Sequence, residues 1–200
     1  MLLRVLLLSL LTSWSVMAMP TRFVEGQDYQ VVASKTTEQA KELRVFFSYN
    51  CPHCYRHQSV IEATMPKLSE PLPLVWNPVG VGRKTWALSQ LAHLIAERYN
   101  KRAIMQMELF ERIHERGMPL QSRNDVAAFL APFGIDKQEV LKVSKDPQLA
   151  RQMEQLDRRA FNAEISGVPS LLVNGRYLVS AKINDAEVLA DLIDYLSELN

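Results

Sequence analysis

Phe46-Phe47-Ser48-Tyr49-Asn50-Cys51-Pro52-His53-Cys54-Tyr55 is the stretch on which the reading of this 200-residue chain turns. Leu43, Val45, Phe46, Phe47 and Tyr49 make a nearly continuous apolar run over 43–49, the pattern of a strand covered on both faces. The run passes straight into Asn50-Cys51-Pro52. Proline suits the first turn of a helix, where its missing N–H would find no partner anyway. A helix is therefore expected over 52–65, ended before Pro66. Another strand is expected over 72–79, so the segment reads β-α-β.

Working outward, 29–33 carries Val31 and Val32 in a β-branched setting and reads as a short strand. From 84 to 164 the periodicity is helical only. Trp86, Leu88, Leu91, Leu94 and Ile95 recur at helical spacing, as do Ile104, Met107, Phe110 and Ile113, and both sets are read as core rather than as a ligand site. Ser122 with Asp125 forms an N-terminal cap signal before Val126, and Pro132 with Gly134 ends that helix. Asp136 with Glu139 opens another, and Asp146-Pro147 opens a long one. The tail returns to β: 170–173 and 176–180 flank Asn174-Gly175, a strong hairpin signal. Asn184 with Glu187 is read as the cap of a last helix whose Val188, Leu189, Leu192, Ile193 and Leu196 form one apolar stripe.

The order β-α-β, helical block, β-hairpin, α describes an α/β chain with a thioredoxin-like fold and an inserted all-helical domain. The expected division is 19–83 and 165–200 for the two parts of the thioredoxin-like domain and 84–164 for the insertion. Residues 1–18 stand apart. Met1-Leu2-Leu3-Arg4 is a short basic start, the stretch to Leu11 is apolar apart from Ser9, and Val16-Met17-Ala18 offers small or modest residues where a signal peptidase reads. The expectation is a secretory signal cleaved after Ala18; an uncleaved inner-membrane anchor is the competing reading, and the apolar core is short for a span.

Without Arg4 the charge count is 22 basic against 22 acidic residues, which argues against nucleic acid as a partner. Cys51 and Cys54 are the two cysteines of the whole sequence. A bridge closing so short a loop removes little entropy from the unfolded chain, so chemistry explains the pair better than stapling does. A zinc site would have Cys51, Cys54 and His57 and no second pair downstream, so no metal and no cofactor are expected.

Cys51 falls at the N-terminus of the helix begun by Pro52. Unpaired N–H groups and the positive end of the helix dipole converge there and stabilise a thiolate, the form that exchanges disulfides. Cys54 lies one turn on, more buried, as the natural resolving thiol. His53 is placed to donate to the Cys51 thiolate and, when protonated, to add positive charge beside it. Whatever stabilises the thiolate stabilises the reduced form, so Pro52-His53 favours giving disulfides away. Gly167-Val168-Pro169 stands just before the strand at 170, where proline is tolerated and the Val168 backbone could pair with an extended chain.

The stretch quoted at the outset, together with Gly167-Val168-Pro169-Ser170 and Val173-Asn174-Gly175-Arg176-Tyr177, resembles the DsbA family of thiol:disulfide interchange proteins of Gram-negative periplasms. The Phe23-Val24-Glu25-Gly26 opening and the helical insertion extend the likeness over essentially the whole chain after residue 18. The resemblance implies Cys51 as nucleophile, Cys54 as resolving thiol, His53 as tuner and Val168-Pro169 as a cis-proline loop facing the cysteine. It also implies a periplasmic location, reduced secreted proteins as substrates, and reoxidation by a DsbB-like quinone-linked membrane protein. Better-known members carry one buried acidic residue in the strand before the motif and another in the helix after it; here those positions are Val45 and Gln58. A periplasmic disulfide reductase or isomerase is the alternative activity, although the roughly 25 residues before the first strand pair leave no room for the extra dimerisation domain of such isomerases.

Overall fold

The computed structural model describes residues 22–32, 41–180 and 183–199; the expected cleaved leader, and Ala33 at the end of the first expected strand, lie outside the described residues. Among the described residues five strands, β1 (Tyr29–Val31), β2 (Leu43–Phe47), β3 (Leu74–Pro78), β4 (Ser170–Val173) and β5 (Tyr177–Val179), form one sheet in the order β1-β5-β4-β2-β3. β2 pairs parallel with β3 and antiparallel with β4, while β5 pairs antiparallel with β4 and β1. The parallel pair needs a crossover, and α1 (Pro52–Thr64) supplies it, prolonged by a 3-10 turn over Met65–Lys67 that tolerates Pro66. The antiparallel pair β4–β5 turns on Asn174 and Gly175, both at positive φ (52° and 67°), the geometry that this dipeptide tolerates.

All five residues of β2 are buried: four are apolar, as the nearly continuous run predicts, and Arg44 among them is held by Glu42 and Asn77. Leu43, Val45 and Phe47 enter the main core with Ile61 of α1 and with Leu189, Leu192, Ile193 and Leu196 of α7 (Ala186–Glu198). Phe46, on the opposite face, meets Ala160 and Ala163 at the C-terminal end of α6 (Pro147–Asn162).

Between β3 and β4 the chain is helical: α2 (Lys84–Arg98), α3 (Arg102–His114), α4 (Arg123–Leu130), α5 (Lys137–Val143) and then α6. α4 begins with a complete capping box. Ser122 Oγ accepts from Asp125 N at 3.1 Å, and Asp125 Oδ2 accepts from Ser122 N at 3.0 Å. Ser122→Ala is expected to cost about 1 kcal/mol, read as a thermal midpoint lower by roughly 2–4 °C. Among the described residues no helix is long and apolar enough to cross a membrane.

Three details differ from the sequence expectation. The buried stripe of α3 is Met105, Leu109 and Phe110, while Ile104 is 61% exposed. Spacing by threes drifts round a helix: Ile104 and Phe110 lie about 120° apart at about 100° per residue, so one face cannot bury both. Val188 likewise falls off the buried face of α7 and is exposed. The cap of α7 is Asp185 rather than Asn184: its carboxylate accepts from Glu187 N and Val188 N at 2.9 and 3.0 Å, and Asn184 turns toward His57 instead.

Candidate active site

β2 delivers the chain to the carboxyl edge of the sheet, where Ser48, Tyr49 and Asn50 turn it into α1. Cys51 is the N-cap, extended at φ −95° and ψ 116°, with Pro52 as the first helical residue. Its N–H donates to Ser48 O at 3.1 Å, and its carbonyl accepts the first intrahelical bond from Tyr55 N. Both cysteines are free and nearly covered, Cys51 at 7% exposure and Cys54 at 2%.

The two thiols are driven apart. A hydrogen bond from the Cys54 thiol is the main influence on Cys51, joined by backbone N–H donors of Cys54 and His53 and by the nearby His53 ring; against the cost of burial, these bring it down from 9.0 to about 6. Burial pushes Cys54 strongly the other way, reinforced by the same hydrogen bond, which its proton sustains. One sulfur is therefore a thiolate at neutral pH and its neighbour a thiol.

The His53 ring is not the donor that the sequence suggested. Arg56 Nη2 lies 2.9 Å from His53 Nδ1, and because a guanidinium only donates, Nδ1 is the acceptor nitrogen of the ring. The hydrogen bond that His53 gives Cys51 comes from its backbone N–H. His57, one turn beyond His53 on α1, is 5% exposed; burial lowers its pKa, with the Asn184 hydrogen bond opposing.

Across 117 residues of chain, Val168 comes to the motif. The Val168–Pro169 bond is cis, and Cys51 Sγ lies 3.3 Å from Val168 O, placed to donate when protonated. The loop separates two clefts. One, of about 520 Å³, is polar and lined by His53, Arg56, His57, Asn184 and the loop itself. The other, of about 580 Å³, runs from Cys51 and Pro52 past Val79, Val81, Trp86 and Phe161. Its far lip is held by α6: Asp157 accepts from Gly80 N at 2.7 Å and Val81 N at 3.1 Å, and Gln90 donates to the same carboxylate. A Cβ at 80 would meet Gln90 Oε1 at 2.9 Å, so a larger residue there must push the end of that side chain aside. Val81 is held at φ 39°, rare for a β-branched residue, and Phe161 beside it is 82% exposed.

Residues 64–196 match the family model described as the DSBA-like thioredoxin domain. The chain belongs to this family. A thiol:disulfide interchange protein DsbA of Azotobacter vinelandii is 32% identical over 178 residues, covering 88% of this chain and 81% of that protein. The DsbA of Pseudomonas aeruginosa is 27% identical over 196 residues, covering 96% of this chain and 92% of its own. A crystal structure of Pseudomonas aeruginosa DsbA superposes with a TM-score of 0.76 at 28% identity, covering 88% of this chain and 93% of that one. The family-model match begins ten residues after Cys54, so the cysteine pair stands on its geometry and on these long alignments. As a member of the DSBA-like family the chain is a thiol:disulfide oxidoreductase with a thioredoxin fold. At the two positions where the sequence departs from better-known members, Val45 is fully buried between Trp76 and Leu171, and Gln58 is buried and donates to Glu62 at 2.7 Å.

Proposed function

We propose that this oxidoreductase works as a disulfide donor. The observation that carries the reading is the division of the pair, with Cys51 brought to about 6 at the helix N-terminus and Cys54 pushed up behind it. In the oxidised protein a substrate thiolate attacks Cys51 Sγ, the Cys51–Cys54 bond breaks, and Cys54 leaves and takes up a proton. The second substrate thiol, as thiolate, attacks the substrate sulfur of the mixed disulfide and expels Cys51 as a stable thiolate. The substrate loses two electrons and the protein gains them. His53 tunes the pair through its backbone donor and its ring, and Pro52 fixes the first turn of α1. The Val168–Pro169 loop offers backbone to an extended substrate, as in strand addition.

The substrates on this reading are reduced secreted proteins, the compartment is the periplasm, reached by the leader at 1–18, and reoxidation falls to a DsbB-like membrane partner. The relatives named DsbA support the reading. We take 84–164 as an inserted helical domain and 19–83 with 165–200 as the domain that carries the chemistry. The test is the redox equilibrium of the chain from Met19 onward against glutathione buffers, read by thiol trapping and mass. Half-oxidation in strongly oxidising buffer is expected; a midpoint in the reducing range of thioredoxin would give the reading over to a reductase or isomerase.

A further inference from the structure

Tyr49, two residues before Cys51, is completely buried and held at both ends by histidines of the helical insertion. Its hydroxyl lies 2.8 Å from His93 Nδ1 on α2. Its carbonyl oxygen lies 2.8 Å from His114 Nε2 on α3. A third tie joins the next residue, with Ser89 Oγ of α2 donating to Asn50 Oδ1 at 2.9 Å.

The chemistry assigns the protons. A carbonyl only accepts, so His114 Nε2 carries hydrogen and donates. His93 is fully buried, and its Nε2 lies 3.2 Å from Glu97 Oε1, close but poorly aligned for a hydrogen bond. A carboxylate also only accepts, so the His93 proton sits on Nε2 and Nδ1 accepts from the Tyr49 hydroxyl. A second proton on His93 would take away the acceptor that the buried Tyr49 hydroxyl uses. Around these bonds Tyr49 packs against Phe47, Phe110 and His93, and His114 stacks on Tyr55 of α1 with ring planes 8° apart.

The segment so anchored reaches both sulfurs. Ser48 O accepts the N–H of Cys51, and the Ser48 backbone N–H donates to Cys54. We infer that His93 and His114 are positioning residues for disulfide exchange: through Tyr49 they fix the turn 48–51 on which the donors to Cys51 and Cys54 converge. The insertion thereby sets the redox poise of the pair from residues 44 and 65 positions away from Tyr49. This rests on Cys51 being the exchanging thiolate.

The experiment uses the double variant Tyr49→Phe/His93→Phe, which removes both hydrogen-bonding partners, leaves none of the Tyr49–His93 pair orphaned and keeps two rings in place; its thermal stability is expected near that of the unmodified protein. With the turn released, the Cys51 thiolate titration, followed at 240 nm, is expected to move up by about half a pH unit, and the tendency to oxidise glutathione to fall about threefold. His114→Phe keeps the stack on Tyr55 without the donor and is expected to shift both readouts, whereas His114→Gln restores a donor and recovers them in part. Unchanged titration and equilibrium in the double variant would overturn the inference. So would shifts confined to the single variants Tyr49→Phe and His93→Phe in step with lost stability, which is what a purely structural pair would give. Each readout is a difference from the unmodified protein, so a reducing poise of that protein would sink the donor reading while leaving this comparison intact.

Discussion

Cys51→Ser is expected to abolish disulfide exchange altogether, whereas Cys54→Ala is expected to leave a protein that attacks disulfides and then stalls. A serine hydroxyl forms no sulfur–sulfur bond, and Cys54 cannot stand in for it. Cys54 is 2% exposed, its pKa is raised by burial, and its proton is already committed to Cys51. In Cys54→Ala the nucleophile remains but the thiol that would release a bound substrate is gone, so mixed disulfides accumulate. Non-reducing gels and intact mass should reveal covalent adducts in the Cys54 variant and none in the Cys51 variant. Iodoacetamide at pH 7 should label Cys51 far ahead of Cys54 in the unmodified reduced protein. Equal labelling, or adducts in the Cys51 variant, would reverse the assignment of roles. Losing the Cys54 donor also removes the main influence that lowers Cys51, so thiolate absorbance in Cys54→Ala should titrate above about 6.

The second large effect is a pH dependence carried by the same thiolate. Cys51 is an acid whose folded-state value falls from 9.0 to about 6. Between those values the folded reduced protein holds an anion where the unfolded chain holds a proton. The stabilisation is therefore fully present above about pH 9 and is lost as pH falls through about 6. The oxidised protein has no thiol at 51 and lacks this contribution. Cys54, raised rather than lowered, stays protonated in the fold; its cost begins where the unfolded thiol ionises, near pH 9, and so lies outside the window. The stability gap between reduced and oxidised protein should narrow by roughly 2 kcal/mol between pH 9 and pH 5.5, about half of the full displacement because solvent at the cleft mouth screens Cys51. In paired melting curves that is a convergence of roughly 4–8 °C. A gap that stayed constant across this range would mean that the folded protein does not hold Cys51 as a thiolate.

Local rules made much of this architecture legible in the sequence. The Asn174-Gly175 turn, the Ser122 capping box and the proline-started helix after Cys51 each depend on a few adjacent residues, and each is present. The burial of β2 follows from its apolar run, which Arg44 alone interrupts. Choices between near-equivalent neighbours were less legible: Asp185 over Asn184 as a cap, and Met105 over Ile104 on the buried side of α3. Both are decided by what the helix docks against, which no short window contains. The site divided in the same way. The cysteines and the Val168–Pro169 loop could be named in advance, but the covering of His57, to which Asn184 contributes, is a tertiary outcome. So is the hold on Tyr49, whose partners lie far along the chain, one of them in a stretch of helix that reads as ordinary core.

The contact between Cys51 and Val168 has a consequence for the history of each molecule. A chain is made from its N-terminus, so the reactive pair exists well before the backbone that faces it: 117 residues at ordinary synthesis rates is roughly 6–23 s. β4, which follows Val168 directly, lies in the interior of the sheet between β2 and β5. Until β4 arrives there is no finished sheet and no seat for an extended partner. A nascent chain thus carries its two thiols before that seat exists, and the partner-facing side of the site is completed late, with about the last sixth of the polypeptide.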